Sequence, residues 1–252
     1  MSARHPYLEH HGPIAFAHRG GTSAAPENSL RAFEHAVSLG YQYVETDVHA
    51  SSDGVLLAFH DTNLKRTCGQ DVSINETPFA VLSQARVDGT DPIPLLEDIL
   101  GSWPDLRVNI DCKADSALQP LIDTITKTNS LHRVCIGSFS DKRLATIRAA
   151  FGPAVCTSMG PREVVRFVAA SSLHLPLPAP RHALAAQIPV RQGPIPVVTE
   201  SSVALAHKWG LHVHVWTIDD PVEISRLLDM GVDGIMSDDT VALRQVFHAR
   251  NL

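Results

Sequence analysis

Residues 43–61 read YVETDVHASSDGVLLAFHD. Successive side chains on a strand leave opposite faces, so Val44 and Val48 point one way and Glu45 and Asp47 the other. Ser52-Asp53-Gly54 then separates two apolar runs, and Asp-Gly tolerates the positive φ of a hairpin turn. The return run ends in Phe59-His60-Asp61. A strand with two carboxylates on one face, followed by a hairpin, interrupts an otherwise regular strand–helix alternation. Residues 51–94 therefore read as an insertion after the second strand.

On either side of this stretch, short apolar runs alternate with helical patterns. The runs are IAFAH (14–18), YVETDV (43–48), RVNIDC (107–112), RVCIGSF (133–139), AVCTS (154–158), ALAAQI (183–188), HVHVWT (212–217) and GIMS (234–237). Between them, Leu30, Phe33, Ala36 and Val37, and again Val164, Phe167 and Val168, fall at helical spacing. Eight strands alternating with helices predict an α/β protein, either a closed parallel barrel or a doubly wound sheet. Polar residues decide between the two. His18, Glu45, Asp47, Asp111, Lys113 and Trp216 all fall at the C-terminal ends of predicted strands, where barrel enzymes build their sites, whereas structural ion pairs would be scattered over both ends. The expectation is a (β/α)8 TIM barrel forming one domain over residues 1–252, with a small insertion after strand 2. Residues 175–196 hold six prolines, too many for a long helix, and are expected to form loops around strand six.

Composition narrows the function. The 44% hydrophobic and 19% charged content of the 252 residues supports a large core. A net charge of -6 argues against nucleic-acid or anionic-membrane binding, which needs a basic patch. None of Cys68, Cys112, Cys135 and Cys156 lies in a CxxC pair, so they read as reduced, mostly buried thiols. Residues 1–13 are polar and His-rich, without the apolar centre of a signal peptide, and no later stretch is long enough to span a bilayer. A cytoplasmic location is the expectation.

Several residue groups carry potential chemistry. His18-Arg19-Gly20-Gly21 ends the first strand; the glycines permit a sharp turn or a close ligand approach. In Pro26-Glu27-Asn28-Ser29, Asn28 and Ser29 read as helix N-caps. Glu45 and Asp47 on one inward face would repel each other in a dry core unless a cation lies between them, and oxygen ligands suit Mg²⁺ or Ca²⁺; a solvated strand end is the alternative. His60 is a candidate general acid or base, with Asp61 orienting it or capping the next turn. Asp111 and Lys113 also share a face. They read as a metal ligand and a phosphate or carboxylate partner, or else as a barrel-core ion pair. His212, His214 and Trp216 share a face of the seventh strand: the histidines read as packed or hydrogen-bonded interior groups, and Trp216 as an apolar wall. Ser237-Asp238 reads as a bonding point for loops at the same rim.

The order His18-Arg19-Gly20, Pro26-Glu27-Asn28-Ser29, Glu45-Thr46-Asp47-Val48, Phe59-His60-Asp61, Asn109-Ile110-Asp111-Cys112-Lys113 and Val215-Trp216-Thr217 resembles the glycerophosphodiester phosphodiesterases. The closing Gly231-Val232-Asp233-Gly234-Ile235-Met236-Ser237-Asp238 is similar too, and the likeness spans roughly residues 14 to 240. It implies a TIM barrel with an insertion after strand two and metal-dependent hydrolysis of a glycerophosphodiester to glycerol 3-phosphate and an alcohol. It further implies a divalent cation on Glu45, Asp47 and Asp111, and an acid/base pair in His18 and His60. Arg19 and Lys113 would bind the phosphate, and Trp216 would pack on the glycerol. The nucleophile would be water, or the glycerol 2-hydroxyl through a cyclic phosphate. The family commonly has Glu at the third ligand position. Asp111 is one methylene shorter, which bears on which metal binds and how tightly.

The alternatives are a lysophospholipase D-type or other barrel phosphodiesterase, and a non-catalytic barrel that binds phosphorylated ligands. The expected partner is a small water-soluble glycerophosphodiester, with no nucleic acid and no integral membrane association. An apolar lip admitting a lysolipid is the competing case, formed either by residues 64–94, with Phe79, Val81 and Leu82 as candidate members, or by the Pro-rich loops near Leu175.

Overall fold

The computed structural model describes residues 5–252; the first four residues of the polar N-terminal stretch lie outside the described residues. Eight parallel strands form the frame: β1 (Ile14–Ala17), β2 (Tyr43–Ala50), β3 (Arg107–Cys112), β4 (Val134–Gly137), β5 (Cys156–Thr157), β6 (Ala185–Ile188), β7 (His212–Val215) and β8 (Gly234–Ser237). They pair in the order β5-β4-β3-β2-β1-β8-β7-β6. A single parallel bridge between Ser158 and Ala185 brings β5 and β6 together, reinforced by Met159 N–H donating to the Ala185 carbonyl at 2.8 Å. The result is the (β/α)8 barrel expected from the alternation. Each strand is followed in turn by a helix: α1 (Leu30–Ser38), α2 (Leu96–Ser102), α3 (Leu118–Lys127), α4 (Asp141–Phe151), α5 (Pro161–Leu173), α6 (Glu200–Trp209), α7 (Pro221–Asp229) and α8 (Thr240–Ala249).

Strand alternation sorts the core into two zones. Val44, Val48, Val108, Ile110, Val134, Ile136, Val213 and Ile235 join the large cluster that includes helix residues such as Phe33, Leu121 and Phe247. Tyr43, Phe16, Cys135, Cys156 and Met236 form a second cluster closed by Tyr7 and Leu8. Tyr43 donates from its hydroxyl to the Tyr7 carbonyl at 2.7 Å, so the segment before β1 plugs the N-terminal end of the barrel. Burying a ring such as Phe16, which is 0% exposed, stabilises by about 1.5–3 kcal/mol. Polar residues on the same inward face are left for the opposite end.

The segment 51–94 opens with a hairpin. Its return strand, Leu56–Ala58, runs antiparallel to β2, with Val48 opposite Ala58. The rest packs over its own cluster, with Leu57, Leu64, Ile74, Leu82 and Val87 buried. Within the Pro-rich stretch, β6 is followed by a small antiparallel ribbon, Arg191–Gln192 with Ile195–Pro196. All four cysteines are free; Cys112, Cys135 and Cys156 are buried and Cys68 is half-buried. Among the described residues no helix is long and apolar enough to cross a membrane.

The turn after β1 depends on one glycine. Gly20 has φ +81, and a Cβ there would lie 2.9 Å from backbone atoms of Ala32 and Phe33. Backbone of α1 cannot give way as a flexible side chain would. Gly20→Ala should therefore cost about 1–3 kcal/mol, read as a lower Tm in thermal unfolding. An unchanged Tm would show that the β1–α1 turn relaxes freely.

Candidate active site

One cavity of about 490 Å³ opens among the loops at the C-terminal ends of the strands. It brings together His18, Arg19, Glu45, Asp47, His60, Asp111, Lys113 and Trp216, the eight residues singled out from the sequence. The reason is register. Asp47 lies opposite Asp111 across β2 and β3, and Phe59 N–H donates to the Asp47 carbonyl at 2.9 Å, which seats His60 beside the same strand end.

The carboxylates are held against cations. Lys113 Nζ lies 2.8 Å from Asp47 Oδ1 and 2.7 Å from Asp111 Oδ2. Arg19 Nε lies 3.2 Å from Asp47 Oδ2, and its Nη1 donates to Glu27 Oε1 at 2.9 Å. Burial pushes Asp47 upward, but Lys113 and Arg19 outweigh it and hold its carboxyl below the usual range. Lys113 loses charge stabilisation on burial and regains more from Asp47 and Asp111, reaching about 12. Glu45 is less well compensated. It has the Arg19 backbone N–H at 3.2 Å and His18 Nε2 at 3.6 Å, and burial together with Asp47 raises its pKa.

Among the described residues, no three His, Cys, Asp or Glu side chains converge into a finished metal cage. The donor set nevertheless fits a hard cation. Asp111 Oδ1 is buried and accepts no hydrogen bond, Glu45 is 4% exposed, and an orphaned buried carboxylate oxygen is costly until something binds it. Carboxylate oxygens are the ligands that Mg²⁺ and Ca²⁺ take.

Both histidines are oriented by carboxylates. His18 Nδ1 lies 2.7 Å from Asp238 Oδ1, and His60 Nδ1 lies 2.6 Å from Asp61 Oδ1. In each case Nε2 is the nitrogen left for other work. Burial works against the charged form of His18, and Glu45 and Asp238 overcome it to raise the pKa. Arg66, on the short helix Lys65–Cys68 of the insertion, donates to Asp61 Oδ2 at 2.7 Å and to Glu27 Oε1 at 2.6 Å. It thereby ties the insertion to the Arg19 turn.

Two readings need correction. Ser29 caps α1, accepting from Ala32 N–H at 3.1 Å, but Asn28 does not share that role. Asn28 is buried with φ 56. Its Nδ2 donates to Asp47 Oδ2 at 3.3 Å and its Oδ1 accepts from the Thr46 hydroxyl at 2.7 Å. It orients a site carboxylate, and a residue that tolerates a left-handed backbone is what the position needs. Second, Leu82 is buried beneath the insertion and neither Phe79 nor Val81 lines the cavity. The apolar wall is instead Phe139, Met159, Pro161, Val164, Val165 and Pro189, beyond β4, β5 and β6. His214 is a packed interior group as expected, its ring 4.8 Å from that of Phe16 and 6.0 Å from that of half-buried His212, although His214 Nε2 and His212 Nδ1 lack hydrogen-bond partners. Trp216 does stand at the wall, edge-on to Phe139 with ring centroids 5.8 Å apart. Glu27, Arg66, Asn109 and Gln187 were not singled out. Glu27 and Arg66 had a faint signal in their charge, the amides none.

Residues 18–242 match the model of the glycerophosphoryl diester phosphodiesterase family. The chain is 40% identical to the probable glycerophosphodiester phosphodiesterase 2 of Mycobacterium tuberculosis, over 97% of this chain and 94% of that one. It is 25% identical to lysophospholipase D GDPD1 of Rattus norvegicus, over 91% and 84% respectively. The fold is shared with an Oleispira antarctica phosphodiesterase solved in complex with the product sn-glycerol-3-phosphate. That match has a TM-score of 0.75 and 22% identity, and covers 94% of this chain and 97% of the other.

Proposed function

The chain belongs to the glycerophosphoryl diester phosphodiesterase family and is a glycerophosphodiester phosphodiesterase, and we propose that it works by two-histidine acid/base catalysis with a divalent cation. The observation that carries the reading is the meeting of three carboxylates, two cationic side chains and two carboxylate-held histidines in one cavity.

Glu45, Asp47 and Asp111 would hold the cation, Mg²⁺ or Ca²⁺. Bound there, it supplies neutralisation of phosphate charge and polarisation of the ester. Arg19 and Lys113 each bring a positive charge to the same rim, and substrate phosphate oxygens can share Lys113 Nζ with Asp47 and Asp111. Proton transfer falls to Nε2 of His18 and of His60: one takes the proton of the attacking hydroxyl, the other protonates the leaving alkoxide oxygen. Asp238 and Asp61 keep the rings aimed by binding Nδ1. Trp216 covers the glycerol carbons. The glycerol 3-phosphate bound in the Oleispira antarctica structure supports the same product here.

A lysophospholipase D-type reading is favoured by one observation, the apolar wall on which Phe139 and Val165 are 68% and 69% exposed. The rat relative carries that activity in its name. Against it stands the net charge of -6, which opposes approach to an anionic lipid surface. The purified enzyme with Mg²⁺ or Ca²⁺ should hydrolyse glycerophosphocholine and glycerophosphoethanolamine, each to glycerol 3-phosphate and the free alcohol, more efficiently than it hydrolyses a lysophosphatidylcholine to lysophosphatidic acid and choline below the micelle concentration. A higher kcat/KM on the lysophospholipid would replace the first reading with the second.

A further inference from the structure

Beneath the carboxylates lies a second polar layer that the proposed catalysis does not use. Asn109 is two residues below Asp111 on β3 and stands opposite Glu45. Gln187, on β6, faces it across the barrel, and both side chains line the cavity. Gln187 Nε2 donates to Asn109 Oδ1 at 2.6 Å. A carboxamide carries one donor group and one acceptor, so this bond uses the donor of one and the acceptor of the other. Among the described residues, Asn109 Nδ2 and Gln187 Oε1 have no hydrogen-bond partner, and neither is sealed from the cavity. Turning both amides over exchanges which residue offers which group, and one donor and one acceptor still remain.

An adjacent donor and acceptor match a hydroxyl, which accepts and donates at once. Two other features support the layer. Gly137 lines the cavity, and a Cβ there would come within 3.3 Å of Gln187 Oε1, so its missing side chain leaves that acceptor open. From below, His214 Nδ1 lies 3.4 Å from Gln187 Nε2, with its ring 4.8 Å from that of Phe16. This fixes the amide from the buried side. Gln187 also sits on the strand next to β7, which leads into Trp216, and the indole and both amides line the same cavity.

We propose that Asn109 and Gln187 are specificity-determining residues that read a free hydroxyl of the glycerol unit. The proposal rests on the phosphodiesterase reading above. A dry site built to bond a hydroxyl rejects the analogue lacking it by about 10⁴-fold, because its polar groups are left unpaired. These amides border an open cavity, so a preference of about 10²-fold is the expectation.

The test measures kcat/KM on glycerophosphocholine and on its two monohydroxy analogues, the phosphocholine diesters of 1,2-propanediol and of 1,3-propanediol. Wild-type enzyme should disfavour at least one analogue by about 10²-fold. Gln187→Met keeps the side-chain volume and removes the amide; it should lower efficiency on glycerophosphocholine at least about tenfold while barely changing the disfavoured analogue. Gly137→Ala, which crowds the acceptor without touching the amide chemistry, should erode the same preference. An equal loss on all three substrates would mean that the amides only pack the barrel, and an unchanged preference in both variants would overturn the proposal as well. Wild-type enzyme that hydrolyses none of the three would overturn the phosphodiesterase reading itself, and the proposal with it.

Discussion

Exhaustive chelation with EDTA and metal-free dialysis should abolish glycerophosphodiester turnover, and Mg²⁺ or Ca²⁺ should restore it. The carboxylates gathered at the rim are the reason to expect this. Glu45, Asp47 and Asp111 face Arg19 and Lys113, and Arg19 is shared with Glu27. Arg66 also pairs with Glu27, and burial together with Asp47 raises the Glu45 pKa, yet the rim holds no surplus positive charge to meet an anionic diester. A carboxylate about 4 Å from the phosphate costs about 4 kcal/mol at an effective dielectric of ~20, close to 10³-fold in rate. Asp111 sharpens the test. Its Oδ1 has no partner, while Oδ2 is bound to Lys113. Asp111→Ala should be nearly inactive; Asp111→Glu should stay active, with a changed preference between Mg²⁺ and Ca²⁺. Full activity after chelation would refute the metal. Equal, mild effects of both substitutions would reduce Asp111 to the ion partner of Lys113.

His18→Ala and His60→Ala should each lower kcat by about 10²-fold or more, the scale of a positioned acid or base. The two rings are held alike, each by a carboxylate on Nδ1, but their surroundings differ. His60 is one-third exposed and its carboxylate is also gripped by Arg66, whereas His18 is 14% exposed and lies 3.6 Å from Glu45. Neither belongs to the apolar clusters, so the thermal unfolding midpoints should stay near the parental value. Near-parental turnover in either variant would remove that histidine from the catalytic assignment.

Much of the barrel could be read from local patterns. Each of the eight apolar runs falls on an observed strand, β2 alone running past its end to Ala50, because period-two alternation and run length are properties of a few adjacent residues. The ends shift: β4 stops at Gly137 and β7 at Val215, and β5 shrinks to Cys156–Thr157 after a short 3₁₀ turn at Gly152–Ala154. The insertion was marked by Ser52-Asp53-Gly54, a turn whose chemistry is also local. The eight candidate site residues could be gathered because strand ends share a rim in any barrel.

What the chain pattern could not yield is who meets whom across the closed barrel. Asn28 read as a cap because caps are short-range; its bond to Asp47 exists only once the β1–α1 turn folds over β2. Asp238 reaches His18 from 220 positions away, and Gln187 reaches Asn109 across 78. Arg66 bonds Asp61 within the insertion but reaches Glu27 only after the insertion docks. The apolar wall likewise moved from the insertion to the loops after β4, β5 and β6. Periodicity says which face of a strand is inward, and so places a carboxylate in the barrel. The partner that orients it is set by register and closure, which depend on contacts between residues far apart in the chain.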